Sequence, residues 1–403
     1  MSWLFYIFLR TLLFPWSFLS YKALHRVGMQ CGRLIFYLVP QYRKRTLSNL
    51  ALIFTLPEQE LLLLAKKSLG NLMITCLEYG KLHRSKDLSK LVRCTNPEQA
   101  LSCIHQGRGI IFLCAHQANW ELFFLEGTSR MPGVAIGQPV KNRYLYRWIL
   151  SIRERFHGTI VPPNSAVKEG LRALKRGAFF GIVGDQGMPE SGFCSSFLGR
   201  KAWTSPLPAL LAYRGRVPLF TATMTRNQGF YEITYSDPLW PDLDKPMNEE
   251  IPRLMTDALR LIEESILRRP EEWLWSHNRW KQQKPGKIKR IYRLDSIAII
   301  LPKDLSTNVL SQLAIFRKLY PTELIFVIGT ASVRDYLDAE EYLYQEEEEI
   351  LHIRDYRIKL VFDLLGKRRF RRHFLSLSAL RTLDLSNQIH DLAHVMEEMV
   401  RVS

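Results

Sequence analysis

The sequence predicts an α/β fold, because short apolar runs alternate with helical patterns along most of its 403 residues. Residues 178–183 form a continuous apolar run, which is typical of a strand buried on both faces of a parallel sheet. The segment before it, 164–177, has apolar residues at helical spacing and stops at Gly177. Asp185 and Gln186 follow the strand, and this order indicates a polar site at the mouth of a sheet.

The remaining elements of the central region continue this alternation. Thr55, Pro57 and Glu58 have the composition of a helix start, with a proline and an acid in the first turn. In chain order we expect a helix at 58–79, a buried strand at 109–115, a helix at 205–212, strands at 217–224 and 230–235, and an amphipathic helix at 249–268.

Residues 1–45 differ from the rest, and we expect membrane-associated helices there. Residues 3–19 form one long apolar stretch that is interrupted by Arg10 and Pro15. About 20 apolar residues are enough to span a bilayer, but an arginine at the middle costs about 2.5–3.5 kcal/mol. The tryptophans and tyrosines of this segment favour the interface. A full span stays open beside an anchor embedded in the membrane surface, and we favour the anchor.

The net charge of +17 is carried unevenly. Residues 1–290 hold 41 Lys and Arg against 22 Asp and Glu, whereas residues 291–403 hold 15 against 17. A basic body attracts nucleic acid, anionic membranes or acidic proteins. The sequence contains no zinc-finger spacing and no RNA-binding signature, so we expect no nucleic-acid partner. The six cysteines lack metal-binding spacing, so we expect no metal site.

The polar segment 281–290 contains a proline and a glycine, as segments between domains often do. After it, residues 296–301 and 324–329 have the pattern of two strands joined by a helix. We therefore expect three parts: membrane-interacting helices at 1–45, a central domain at 46–285, and a small accessory α/β domain at 291–403 without catalysis of its own.

His116 and Glu121 are the strongest candidates for chemistry. The histidine stands at the end of an apolar strand pattern, and the carboxylate lies five positions later, where a helix is expected to open. A carboxylate one turn along could orient the imidazole as a general base for a hydroxyl. With 10 histidines and 39 acids, about one such spacing arises by chance. A histidine packed under a loop, with a solvated glutamate nearby, is the alternative.

The segment 115–121 (AHQANWE) resembles the signature block of the bacterial late acyltransferases of lipid A biosynthesis, the lauroyl- and myristoyltransferase family. Further blocks follow in the order of that family, and together they cover about residues 1–285. One departure is Leu198, where the family often has a second phenylalanine before the glycine. The other similar blocks are at 45–50, 141–148, 153–158, 170–177, 184–187, 197–204 and 270–281.

The resemblance implies membrane-associated helices followed by an acyltransferase-type mixed sheet flanked by helices. It implies O-acyl transfer from an acyl carrier protein thioester to a lipid A precursor, an anionic phosphoglycolipid, at the cytoplasmic face of the bacterial inner membrane. No cofactor beyond the thioester is implied. His116 would be the base, Glu121 would hold its ring, and Arg153 or Arg155 would bind the oxyanion. Asp185 would contact a substrate or cap a turn.

Several alternatives remain open at this point. The acceptor could be a glycerolipid or another glycolipid, although the glycerolipid motif usually carries Asp at the position of Glu121. The chain could also be an inactive membrane-bound lipid-binding module, which the presence of both His116 and Glu121 argues against. A coenzyme A thioester could replace the carrier protein as donor. Phe123 and Phe124 could line an acyl pocket or pack in the core.

Overall fold

The computed structural model describes residues 2–85, 87–283, 286 and 288–401. The chain begins with helices, of which the second and the long fourth pack on the body. Their bounds are α1 (Ser2–Leu13), a 3₁₀ turn (Pro15–Phe18), α2 (Tyr21–Leu38), α3 (Pro40–Ile53) and α4 (Glu58–Leu82). The long helix begins at Glu58 as expected, but it continues three residues past Tyr79. No helix in the described ranges combines the length and apolarity needed to cross a bilayer.

A seven-stranded mixed sheet forms the centre of the body. Its spatial order is β1-β9-β8-β2-β5-β3-β4, and neighbours are parallel except for the antiparallel pair β8–β9. The strands are β1 (Val92–Cys94), β2 (Ile110–Cys114), β3 (Gly133–Ile136), β4 (Gly158–Val161), β5 (Phe179–Val183), β8 (Leu219–Asn227) and β9 (Phe230–Tyr235).

Strands β2 and β5 lie side by side near the middle of this sheet. All five residues of β2 are buried, which explains why its sequence is a continuous apolar run and does not alternate. The flanking helices are α5 (Glu98–His105), α6 (Glu121–Arg130), α7 (Arg143–Arg153), α8 (Ala166–Lys175), α9 (Leu207–Gly215) and α10 (Met247–Arg268), with 3₁₀ turns at Pro163–Ser165 and Pro270–Glu272. The α/β class and the mixed sheet expected from the sequence are confirmed.

A hairpin of β6 (Phe193–Phe197) and β7 (Arg200–Thr204) stands apart from the main sheet. Its two-residue turn contains Leu198 and Gly199, both with positive φ, as tight hairpins require. Leu198 adopts φ 49° and is buried, whereas Gly199 has open space around it. The hairpin packs against α10.

The C-terminal region contains a second, fully parallel sheet in the order β12-β11-β10-β13-β14. This is the order of a doubly wound α/β unit in which the first strand lies at the centre. Its strands are β10 (Ser296–Ile300), β11 (Leu324–Gly329), β12 (Glu340–Leu343), β13 (Leu360–Asp363) and β14 (Arg381–Asp384). Its helices are α11 (Thr307–Gln312), α12 (Ala314–Leu319), α13 (Arg368–Leu377) and α14 (Leu392–Val400), with 3₁₀ turns at Arg290–Tyr292, Glu347–His352 and Ser386–Asp391.

The second sheet packs against the body through α3 and the start of α4. Lys359 donates a hydrogen bond from Nζ to Asn49 Oδ1 at 2.8 Å, and Tyr356 donates to Glu58 at 2.6 Å. Within the expected linker 281–290, residues 284, 285 and 287 lie outside the described residues. The division into three domains stays a prediction.

Candidate functional site

The site is built at the carboxyl ends of β2 and β5. These strands are parallel neighbours, and Cys114 is in register with Val183. His116 and Asp185 each lie two residues past the end of their strand, so the fold brings them to equivalent positions at one edge of the sheet. The ring Nδ1 of His116 lies 2.6 Å from Asp185 Oδ1.

The carboxylate of Asp185 is almost fully buried and accepts three hydrogen bonds. Its Oδ1 contacts the His116 ring. Its Oδ2 accepts from the backbone N–H of His116 at 2.8 Å and from the indole N–H of Trp273 at 2.7 Å. Burial alone would raise the pKa of Asp185. The charge of His116 and these hydrogen bonds outweigh burial and lower the pKa to about 2. Asp185 is therefore ionised at neutral pH.

An ionised Asp185 fixes the proton of His116 on Nδ1, because a carboxylate only accepts hydrogen bonds. The opposite nitrogen, Nε2, then presents its lone pair, and the amide of Gln186 lies 3.3 Å from it. The imidazole is 17% exposed and packs edge-on against Trp120, with ring centroids 5.1 Å apart. In its neutral form, a partly exposed imidazole with a held tautomer can accept a proton from a bound hydroxyl.

Glu121 makes a different contact from the one the sequence suggested. Its carboxylate forms a two-bond pair with Arg153, from Nε to Oε2 at 2.7 Å and from Nη2 to Oε1 at 2.6 Å. Burial would raise the pKa of Glu121, but Arg153 lowers it, and Glu121 in turn raises the pKa of Arg153. The sequence predicted that Glu121 orients His116. This prediction is wrong, because Asp185 makes the hydrogen bond to the ring.

Arg155 also has a different environment from the expected one. Its guanidinium donates to backbone carbonyls at the end of α4, to Leu82 at 2.7 Å and His83 at 2.6 Å, with a further short contact to Ser85. Cations at a helix C-terminus satisfy carbonyls that have no partner within the helix. Arg155 therefore caps α4, whereas Arg153 pairs with Glu121.

The loop between β2 and α6 is held on both sides. The backbone N–H of Ala118 donates to the carbonyl of Glu272 at 2.7 Å, and Leu274 N–H donates to the carbonyl of His116 at 3.0 Å. From α4, the Thr75 hydroxyl donates to the carbonyl of Ala118 at 2.9 Å. Ala118 has a φ of 49°, a left-handed conformation that non-glycine residues rarely adopt. These contacts compensate for that strain and fix the His116 backbone.

Asn119 connects the same loop to a buried polar network. Its amide donates to Glu78 Oε2 at 2.6 Å, and its Oδ1 accepts from the backbone N–H of Glu121 at 3.3 Å. Glu78 also accepts from Tyr231 at 2.9 Å and contacts the ring of His25 at 2.6 Å. The carboxylate of Glu78 thus fixes the start of α6 from the opposite side.

An apolar cavity of about 50 Å³ is lined in part by Trp120, whose ring packs against His116. Cys114, two residues before the histidine, and Trp120, four residues after it, both line the cavity. Strand β5 leaves space there because Gly181 has no side chain. Four phenylalanines also line the cavity: Phe112, Phe123, Phe124 and Phe179.

The segment 270–281, which the sequence marked only by its resemblance to the family's closing block, supports Asp185. Trp273 is buried and donates to Asp185, and Trp275 and Trp280 pack around it. Arg279 is buried beside them, donates to the carbonyl of Trp203 at 2.7 Å and to Thr204 Oγ1 at 2.6 Å, and lies 4.5 Å from the ring of Phe197. The hydrogen bond between Trp273 and Asp185 could not be foreseen from the sequence, since 88 positions separate the two residues.

Comparison with known proteins adds two findings. Residues 1–282 match the model of the family described as bacterial lipid A biosynthesis acyltransferase. A lipid A biosynthesis lauroyltransferase of Escherichia coli (strain K12) is 23% identical over 276 residues, which cover 66% of this chain and 88% of that protein. The match ends before the second sheet begins.

Proposed function

Because the chain belongs to the bacterial lipid A biosynthesis acyltransferase family, we propose that it transfers a fatty acyl chain from an acyl carrier protein thioester to a hydroxyl of a lipid A precursor. The observation that carries this proposal is the pair of His116 and Asp185 together with an apolar cavity. A deprotonating histidine and a pocket for an acyl chain are the two requirements of this reaction.

In the proposed reaction, the acceptor hydroxyl donates its proton to Nε2 of His116 as its oxygen attacks the thioester carbonyl. Asp185 stabilises the imidazolium that forms and returns the ring to the same tautomer afterwards. The tetrahedral intermediate collapses by breaking the C–S bond. The imidazolium then gives its proton to the leaving thiolate, so one ester and one thiol are formed and no acyl-enzyme is needed.

Arg153 is the best candidate to bind the oxyanion of that intermediate. Its Nε and Nη2 are occupied by Glu121, and Nη2 also lies 3.5 Å from the Tyr79 hydroxyl. Its Nη1 makes no hydrogen bond within the described residues, and the side chain is 21% exposed. Glu121 holds the guanidinium in place, and a donor held in position stabilises developing charge without reorganisation.

The apolar cavity is the candidate site for the acyl chain. Its lining by Phe123, Phe124 and Phe179 offers only apolar and aromatic contacts, which suit a hydrocarbon. Its volume of about 50 Å³ is small, so a long chain has to displace aromatic side chains as it enters. The size of these rings and the absence of a side chain at Gly181 would then set the length that the site accepts.

We further propose that the chain binds the cytoplasmic face of the bacterial inner membrane through its first two helices and the turn between them. Leu4, Phe8, Phe14 and Phe18 are each more than half exposed. Arg10 does not point away from the body, because its guanidinium lies 4.9 Å from the ring of Trp148. An exposed apolar face beside a basic body fits an interfacial anchor on anionic lipid.

The direct test is transfer by the purified full chain in detergent micelles. We expect acyl carrier protein thioester plus a phosphorylated glucosamine lipid to give a product heavier by one acyl group. Coenzyme A thioester in place of the carrier protein and glycerol 3-phosphate in place of the glycolipid test the two rival substrate classes. Transfer to glycerol 3-phosphate alone would contradict the proposal, and no transfer to any acceptor would favour a binding module.

A further inference from the structure

A second cavity, of about 400 Å³, lies where the second sheet meets the body. We call it the basic pocket, because five of its described lining residues are Lys or Arg and only Glu190 is acidic. The body contributes Arg45 and Lys281, and Lys359 reaches in from β13. Arg290 and Arg293 come from the segment that leads into the second sheet.

The charges of the basic pocket are not balanced within the described residues. Lys359 is paired, because its Nζ lies 2.5 Å from Asp295 and donates to Asn49. No ion pair is found among the described residues for Arg45, Lys281, Arg290 or Arg293, and the Nε of Arg293 is buried without a hydrogen-bond partner. A buried donor without a partner is costly, and a cluster of four unpaired cations repels itself. Both features point to an anionic ligand.

Two residues that line the basic pocket stand close in the chain to residues that contact His116. His277 lines it, three residues after Leu274, whose N–H bonds the backbone of His116. Glu190 lines it four residues after Gln186, which contacts the His116 ring. Asn49, another lining residue, stabilises this side of the pocket by donating to the carbonyls of Trp275 and His277, both at 2.7 Å. Burial and Lys281 lower the pKa of His277 to about 4, so this imidazole is neutral at pH 7 and adds no charge.

We infer that the basic pocket binds a phosphate ester of the acceptor while His116 deprotonates the acceptor hydroxyl, with the C-terminal region supplying part of the binding charge. This inference rests on the proposed function and names a binding site for its acceptor. The apolar cavity suits an acyl chain and the basic pocket suits a polar anion, so the two cavities divide the substrates by chemistry. The phosphopantetheine of the donor also carries a phosphate with the same chemistry. The experiment distinguishes it from the acceptor phosphate by measuring KM for each substrate.

The experiment compares two full-length double variants that remove the same charge from the same region. Arg290→Gln/Arg293→Gln changes the basic pocket. Arg368→Gln/Arg372→Gln changes two exposed arginines of α13, outside the pocket, and serves as the matched control. The measured quantities are KM for a phosphorylated glucosamine lipid, KM for the acyl carrier protein thioester, and kcat, all in neutral detergent micelles.

We expect the pocket variant to raise KM for the phosphorylated lipid by about tenfold, since hydrogen bonds between charged groups contribute that much. The donor KM and kcat should stay within about twofold, and the control should match wild type. With the same lipid after phosphatase treatment, wild type and pocket variant should become equal. An unchanged acceptor KM, or a rise confined to the donor KM, would overturn the inference.

Binding separates this inference from the proposed reaction. The wild-type chain and both variants are titrated with the phosphorylated glucosamine lipid in micelles, without any donor. We expect weaker binding only in Arg290→Gln/Arg293→Gln. Equal binding by all three proteins overturns the pocket assignment even if transfer occurs, whereas selective loss of binding supports it even if no transfer is found.

Discussion

Two carboxylates lie near His116, one past the end of β5 and one in the first turn of α6, and their partners differ. Asp185 faces a histidine ring and two N–H donors, so it holds a group that can gain and lose a proton. Glu121 faces the guanidinium of Arg153 in a two-bond pair, so it holds a permanent charge. Both are buried, and their roles follow from what they contact.

The difference teaches that distance in the sequence is a poor guide to which carboxylate contacts a histidine. Glu121 is five residues from His116 and Asp185 is 69 residues away, yet the distant residue makes the 2.6 Å contact. Register between parallel strands brings it there, whereas the turn of α6 carries Glu121 towards α7. Substitutions can separate the effect of His116 and Asp185 from that of Arg153 and Glu121.

The largest effect is expected for His116→Ala. Loss of a general base typically slows a reaction by 10² to 10⁴, so we expect kcat to fall by about a thousandfold with the fold retained. The matched control is His105→Ala, an exposed histidine at the end of α5, which should keep wild-type turnover. Near-wild-type turnover of His116→Ala, measured by product mass in the same assay, would show that His116 is not the general base.

Asp185→Asn should come next, with a fall in kcat of about a hundredfold or more. The amide oxygen can still accept from the His116 backbone and from Trp273, so the fold should persist. Its NH₂ group, however, would donate to Nδ1 and leave the proton on Nε2, where a base needs a lone pair. Nitrogen chemical shifts of His116 report the tautomer directly. Unchanged shifts together with unchanged kcat would assign Asp185 a purely structural role.

Glu121→Gln should act mainly on stability. It leaves the charge of Arg153 uncompensated in a largely buried position, and breaking such pairs costs about 3 kcal/mol or more. The control is Glu232→Gln, which breaks the exposed pair with Arg93 and should cost less than about 1 kcal/mol. Denaturant unfolding gives both values. Equal stabilities of the two variants would mean that the Glu121–Arg153 pair does not hold this part of the site.

A smaller effect is expected from filling the apolar cavity with Gly181→Val. The nearest atoms to a side chain there are 3.6 Å away, so a first carbon fits and the rest projects into the cavity. We expect the rate with the longest accepted acyl thioester to fall about tenfold relative to the shortest. Gly329→Val, at a strand glycine of the second sheet with similar room, is the control. An unchanged chain-length preference would locate the acyl chain elsewhere.

The fold class was predictable because its signals are local. The apolar runs of β2 and β5 and the start of α4 at Glu58 depend on residues that are close in sequence. Strands β3 and β4 were not foreseen, because four residues are too short for a recognisable period and pairing with β5 decides them. The same holds for the hairpin of β6 and β7, whose strands carry no long apolar run.

The site was predictable only in part. His116 and Asp185 could both be located at strand ends, but the contact between them depends on β2 and β5 being neighbours. Arg153 and Arg155 looked equivalent in sequence, and only their directions from the end of α7 distinguish them. Tertiary contacts of this kind leave no trace in spacing.

The measurement that tests the central claim most directly is the mass of lipid A from cells that lack this chain. We predict a lipid A that is lighter by one acyl group, restored by the wild-type chain and by Glu232→Gln. Neither His116→Ala nor Asp185→Asn, expressed at the same level, should restore it. Lipid A of unchanged mass in the deletion strain, or full restoration by His116→Ala, would contradict the account.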